Sequence, residues 1–372
     1  MIYLDYAANT PVDEKVLDDF VKVTRNFIAN PNSSHGLGQL AKKQIDDCVS
    51  YISDTFNCSK DGVIFTSGSS ESNNLVIKGI AERNKEYGNH IIISAIEHSS
   101  IVAPCNYLTS HGYDVTVLDI NEDGKINLEE LRNALNDKTI LVSICYVDGE
   151  LGTIEPINEI ADIVHEYPNC KFHTDATQAV GKIPVDFSKC DFVTFAPHKF
   201  FGLNGFGILL NMNDDKLVPL IHGGKSTTIY RSGTPVTGNV VALNTALKEA
   251  ISNLDSRYAY IKELNDYLKS ELSKLSFVHI NTPSDAMPST LNISIVDKNA
   301  KEIVKGLADK EIYVSTTTAC SQGDTPSKSV LAITKDMNLA KNSIRISMSH
   351  FTTKEELDIF LKELVNEYNK AQ

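Results

Sequence analysis

Residues 139–182 read TILVSICYVDGELGTIEPINEIADIVHEYPNCKFHTDATQAVGK. TILVSICYV is a short apolar, β-rich run, PINEIADIVHEY spaces its apolar residues at helical intervals, and CKFHT is a second apolar run. Strand, helix and strand in that order form the unit of a mostly parallel sheet covered by helices. The rhythm continues upstream: VIFTSG precedes a helical pattern from Glu71 towards Tyr87, HIIISAIEH precedes IVAPCNYLTSHG, and YDVTVLDI precedes LEELRNALN. Downstream, a long helical stretch, VALNTALKEAISNLDSRYAYIKELNDYLKSELSKL, leads to alternating segments such as LNISIV and IRISMS and to a last helix, KEELDIFLKELVNEYNK. The fold expected is α/β: a large domain over 15–250 built on a mostly parallel sheet, and a smaller α+β domain over 251–372. Residues 1–14 fit either one.

Sheets of this kind place ligands beyond the carboxyl ends of their strands. The polar residues that follow the apolar runs are Ser69 and Ser70; Glu97 and His98; Asp148, Gly149 and Glu150; Asp175 and Gln178; and His198 and Lys199. Five strand ends in a row point to one site.

The rest of the composition narrows the class. At 372 residues, with 42% hydrophobic and 22% charged residues, the chain is ordinary globular material with room for a cleft between two cores. A net charge of -13 argues against a nucleic-acid backbone as partner. MIYLDYAANT has neither a basic nor an apolar leader segment, and no run is apolar enough to span a bilayer, so a cytoplasmic location is expected. Seven dispersed cysteines without a CxxC pair indicate neither a disulfide framework nor a thiolate metal site, and no metal is expected. Cys320 stands apart, in the polar segment STTTACSQGDTPS.

Each candidate has a plainer reading beside the functional one. Serines in TSGSSESNN either cap the following helix or join its free amides in holding an anion. Asp175 and His98 are either helix caps or parts of a charged site, since a buried carboxylate asks for a cationic partner. Lys199 lies in TFAPHKFFG, residues 194–202, where it either snorkels across Phe195, Phe200 and Phe201 or presents a desolvated, nucleophilic amine. Taken together, a reactive lysine, an anion cradle, an aspartate for a ring nitrogen and an imidazole for a ring face are what pyridoxal phosphate requires.

These residues sit in ordered motifs: YLDYAANTPVD at 3–13, NPNSSHGLGQLA at 30–41, FTSGSSESNN at 65–74, EHSSIVAPC at 97–105, GELGTIEPI at 149–157, FHTDATQAVGKIPVD at 172–186, HKFFGLNGFGILL at 198–210, RSGTP at 231–235, TTACSQGDTPS around Cys320 and IRISMSHFTTKEELD at 344–358. Nearly end to end, the chain resembles the cysteine desulfurases of the NifS/IscS type, within the class V aminotransferases of pyridoxal phosphate fold type I. The resemblance implies Lys199 as the Schiff-base lysine, Asp175 at the pyridine nitrogen, Gln178 near the phenolic oxygen and His98 stacked on the ring and assisting catalysis. It implies Ser69, Ser70 and His198 as phosphate ligands and Thr234 as a residue reaching the phosphate in the other subunit of a homodimer. Arg345 is the implied grip on the substrate α-carboxylate, with Asn9 beside the substrate, and Cys320 the nucleophile. The implied reaction converts L-cysteine to L-alanine and passes sulfur, as a persulfide on Cys320, to an acceptor protein of iron–sulfur cluster assembly or tRNA thiolation. A selenocysteine lyase, lyase or transaminase acting on another amino acid is the alternative.

Four departures from the family pattern fall near the site. Asp148-Gly149-Glu150 stands where Asn-Asn-Glu is usual, which puts a carboxylate, Asp148, in place of an amide beside the phenolic oxygen. Ala196 replaces a serine expected at the phosphate. GGKST at 223–227 adds Lys225 near the pocket mouth, and Ser349 replaces a glycine.

Overall fold

The computed structural model describes residues 1–316 and 325–371. In chain order its first half runs β1 (Ile2–Tyr3), α1 (Glu14–Asn26), α2 (Gly36–Phe56), β2 (Val63–Thr66), α3 (Ser69–Asn84), β3 (His90–Ser94), α4 (Ser99–Thr109), β4 (Asp114–Leu118), α5 (Leu128–Ala134), β5 (Thr139–Ser143), α6 (Ile157–Val164) and β6 (Lys171–Asp175). The second half runs β7 (Phe192–Phe195), β8 (Gly207–Asn211), α7 (Thr237–Ser252), α8 (Leu254–Leu272), β9 (Val278–Ile280), β10 (Thr290–Ile295), α9 (Ala300–Ala308), β11 (Ile312–Tyr313), α10 (Lys328–Thr334), α11 (Met337–Lys341), β12 (Ser343–Ser347) and α12 (Lys354–Lys370).

Seven strands form the central sheet in the order β2-β8-β7-β6-β5-β3-β4. All pairs are parallel except the two made by β8, which runs antiparallel to β2 and β7. The strand sequences explain the burial: HIIIS, TILVS and GILLN are buried along their full length, as expected for strands covered by helices on both faces. The register sets His173 beside Ser143 and Asp175 beside Thr194, so the polar residues after several strands come out at one edge.

The expected long helix after residue 241 is two helices, because the chain breaks at Asn253 between α7 and α8. The break changes which core is served. Val240, Leu243, Ala246 and Leu247 of α7 pack with the central sheet, whereas Leu264, Leu268 and Leu272 of α8 pack under the antiparallel sheet β12-β10-β9. The first residues cross between the two: Ile2 and Leu4 belong to the second core, with β1 paired to β11, and Val16 of α1 belongs to the first. Thr353 and Glu356 form a reciprocal capping box that starts α12 where the sequence pattern begins.

Candidate active site

β7 ends at Phe195 and passes into a single tight turn, Pro197–Lys199. Phe195 and Phe200 flank the turn and are buried in the main core, which anchors both of its ends. Lys199 does not snorkel outward across these rings; its Nζ turns inward and donates to the carbonyls of Ala7 and Ala8 at 2.8 and 2.6 Å. Phe201 then adopts a left-handed backbone, φ 68°, which is unfavourable for a bulky residue. It is held there by its amide donating to Thr10 Oγ1 at 2.8 Å and its carbonyl accepting from Asp13 N at 2.9 Å. The N-terminal segment and the lysine turn therefore fix each other.

Gln178 joins them. Its Nε2 donates to the Ala7 carbonyl at 2.9 Å, and its Oε1 accepts from Lys182 Nζ at 2.5 Å. Burial, followed by the nearby charges of Lys199 and Arg345, holds the Lys182 amine well below the usual lysine range. Lys182 was not singled out in the sequence, although it ends the HTDATQAVGK motif.

Asp175, at the end of β6, is buried; Oδ1 accepts from Thr177 N at 3.0 Å and Oδ2 from Asn73 Nδ2 at 2.7 Å. The Asn73 amide also donates to Ser100 Oγ at 2.9 Å, and Ser100 Oγ lies 2.8 Å from His98 Nδ1. One hydrogen-bonded chain thus links Asp175 on β6, Asn73 on α3, and Ser100 and His98 at the start of α4. His98 is both an α4 cap, accepting from Ser100 N, and a neighbour of the Asp175 and Lys199 charges. The capping and functional readings are both satisfied by one side chain. Asn73 and Ser100 were missed because an asparagine or serine near a helix start reads as an ordinary cap.

α3 begins at Ser69 with no side-chain cap. Ser67 N is taken by Glu71 Oε2 at 2.7 Å, which leaves the following first-turn amides to whatever lies beyond the helix. Gly68 supports this opening: its φ of 155° disfavours a side chain, and a Cβ on neighbouring Gly207 would meet Gly68 backbone at 2.5 Å. Burial, followed by the charges of Lys199 and Lys182, lowers the His198 pKa to about 4, so its imidazole is neutral at pH 7.

Arg345, 2% exposed on β12, donates through Nη1 to the Gly149 carbonyl at 3.0 Å and through Nη2 to Asp5 Oδ1 at 2.8 Å. Its Nε has no partner among the described residues. Asn9 Nδ2 donates to the Thr10 carbonyl at 3.1 Å, one residue beyond the Ala7–Ala8 carbonyls that hold Lys199. Thr234 is exposed on a segment tied to α3 by an Arg231–Glu71 pair at 3.0 Å. Cys320 lies outside the described residues.

Asp148 is placed differently from the sequence expectation. Oδ1 accepts from Glu150 N at 3.0 Å and Leu151 N at 2.6 Å, and Oδ2 accepts from Ser329 Oγ at 3.1 Å. Both oxygens are thus committed to its own turn and to α10. The residue facing Gln178 is Gly149, whose Cβ position lies 3.7 Å from Gln178 Nε2. Asp148 thus anchors its own turn to α10, and Gly149 is the residue of this turn that lies against Gln178. Burial, followed by the Glu150 charge, raises its pKa to about 6.

Glu97 lies beneath His98, 5% exposed, with Oε1 accepting from Ser94 Oγ at 2.7 Å and Cys145 N at 2.8 Å and Oε2 unpartnered among the described residues. Burial outweighs those bonds and, with Asp175 and Asp148 nearby, raises its pKa to about 8. The folded state holds this proton more tightly than the unfolded chain, so the contribution is fully present below the usual carboxylate range and is lost as pH rises through about 8. We expect Glu97→Gln to gain stability relative to the parent by about 2–4 kcal/mol between pH 5 and pH 9. Urea unfolding of both proteins at the two pH values checks this, and a pH-independent difference would contradict it.

The model of the aminotransferase class-V family matches residues 2–360. The chain belongs to that family. It is 36% identical to "Cysteine desulfurase IscS" of Dictyoglomus turgidum, over 98% of this chain and 93% of that protein. A solved "NIFS-LIKE PROTEIN" superposes with a TM-score of 0.93 at 32% identity, covering 99% of each chain. "SspA in complex with cysteine" superposes with a TM-score of 0.83 at 31% identity, over 95% of this chain and 100% of that one. Like these solved relatives, this class-V aminotransferase builds its fold on a mostly parallel central sheet. Among its described residues no helix is long and apolar enough to cross a membrane.

Proposed function

We propose that this class-V aminotransferase is a pyridoxal phosphate-dependent L-cysteine desulfurase. The observation that carries the reading is the convergence of Lys199, Gln178 and the Asp175–Asn73–Ser100–His98 chain beside the uncapped start of α3. The residues present fit the cofactor: a helix start with open amides and a neutral His198 suit its phosphate, Asp175 suits a protonated ring nitrogen, and Lys199 suits its aldehyde. Buried Thr174, Thr177 and Asn73 each keep an oxygen without a partner among the described residues, which suits a polar group seated in the site. When bound, pyridoxal phosphate supplies an aldehyde to capture the substrate amine and a ring that accepts electrons from Cα.

The chain's own groups do the rest. Arg345, already oriented by Asp5 and the Gly149 carbonyl, holds the substrate carboxylate through its planar fork. Lys199 takes the Cα proton and returns one. The Cys320 thiolate attacks the substrate sulfur; the S–S bond forms, the Cβ–S bond breaks, and the carbon that keeps the electron pair takes up a proton to become the methyl of alanine. Cys320 then carries the sulfur to an acceptor protein, in the cytoplasm, for cluster assembly or tRNA thiolation. In this reading a 15–250 domain contributes Lys199, a 251–372 domain contributes Arg345, and the substrate is held between the two.

Thr234 completes the phosphate site of a second copy. Exposed Leu220, Ile221, Ile229 and Val236 lie on the same segment, with Leu37 and Leu40 exposed on α2, and a homodimer covers such apolar surface. One preparation tests the proposal. It is expected to be dimeric by light scattering, to release alanine and sulfide in equal amounts from L-cysteine with reductant, and to prefer L-cysteine to D-cysteine, serine and alanine. Preference for L-selenocysteine, or transamination without sulfide, would replace the substrate assignment; an active monomer would remove the Thr234 assignment.

A further inference from the structure

A small cavity adjoins Lys199. This cavity, about 40 Å³, lies where the N-terminal segment, the lysine turn, α8 and the exit of β12 meet. Neither Asp175, His98 nor Arg345 lines it. Its wall carries the cationic or basic groups of Lys182, Lys199, Arg257 and His350, and no carboxylate. In a chain of net charge -13, such a wall is not the background composition.

Lys199 and Lys182 are engaged elsewhere, at the Ala7 and Ala8 carbonyls and at Gln178, and the groups that matter on this wall are Arg257, His350 and Ser289. Among the described residues the Arg257 guanidinium makes no hydrogen bond or ion pair, and it lies 5.6 Å from the centroid of the Phe201 ring. The His350 ring packs 4.6 Å from Phe201 and 4.1 Å from Phe351. Ser289 lines the same space, is 7% exposed, and its hydroxyl has no partner among the described residues. The acids whose charges reach Arg257 are committed elsewhere: Asp13 caps α1 and Glu249 pairs with Lys15. A guanidinium fork and a buried hydroxyl call for an acceptor, and a negative one answers the Arg257 charge, while burial keeps the Lys182 amine and the His350 imidazole from adding theirs.

Size limits what it can be. A water needs about 10–15 Å³ on this measure, so the cavity takes roughly three waters or one small inorganic anion, and is too small for an amino acid. We propose that this cavity binds a monovalent inorganic anion of the chloride class through Arg257 and Ser289, tying α8 to the start of β10 beside the Lys199 turn.

The test uses the cofactor-loaded protein at constant ionic strength, with sodium gluconate replaced stepwise by sodium chloride. The expected result is a saturable rise in Tm of about 1–3 °C, as for a ligand that binds only the folded state. Arg257→Gln flattens the response and Arg257→Lys keeps a weaker one. Equal behaviour of the two salts in the parent, or an undiminished chloride response in Arg257→Gln, would overturn the proposal. Should Arg257→Gln not fold, crystals of the parent grown in bromide decide it: anomalous density within hydrogen-bond reach of Arg257 and Ser289 supports the site, and its absence there rejects it.

Discussion

Lys199→Ala, purified with pyridoxal phosphate, is expected to lose the absorption band near the visible edge that marks a covalently held cofactor, and at least about 10³-fold in turnover of L-cysteine. The magnitude follows from the two tasks assigned to one amine, capture of the aldehyde and movement of the Cα proton. The structure adds a reason why no neighbour can substitute. Lys182 is the nearest alternative amine and is also desolvated, but its Nζ is held by Gln178 Oε1 at 2.5 Å rather than at the Ala7 and Ala8 carbonyls. Spectra and single-turnover product analysis check the prediction, and a variant that kept both band and turnover would refute the lysine assignment. The Ala7 and Ala8 carbonyls lose a charged donor in this variant, so a modest loss of stability, about 1–3 kcal/mol, is expected alongside.

Cys320→Ser separates sulfur transfer from cofactor chemistry. A hydroxyl cannot accept the substrate sulfur as a persulfide, so we expect the cofactor band to persist while enzyme-bound persulfide disappears and alanine formation falls at least about 10³-fold. Mass spectrometry of the protein after reaction with L-cysteine, beside an alanine assay, measures both. Full alanine and sulfide production by this variant would show that another group receives the sulfur. The buried cysteines are poor substitutes: burial raises the pKa of Cys105 to about 12 and also raises that of Cys145 well above the usual thiol range, against thiolate formation.

Much of this site was legible before the fold was known, because strand ends in a parallel sheet are predictable from apolar runs and polar residues follow them. Asp175, His98 and Lys199 are proposed from that position. Asp148 stands at the same kind of position. The sequence showed a carboxylate two residues from Glu150, but the direction of its side chain depended on Ser329, 181 positions away, and on turn amides whose orientation exists only once the chain is folded. Asn73 and Ser100 escaped for a related reason, since their meeting with Asp175 is a contact between α3, α4 and β6 rather than a pattern in any one of them.

By itself the sequence determined the class of fold, the family resemblance and the identity of the groups able to do chemistry, because apolar periodicity and residue type are local properties. Only the tertiary structure decided which carbonyls receive the Lys199 amine, which residue faces Gln178, where one helix becomes two, and that Arg257, His350 and Ser289 share a cavity. Those outcomes rest on contacts between segments far apart in the chain, where burial and the pairing of polar groups, rather than local preference, set the position of each side chain.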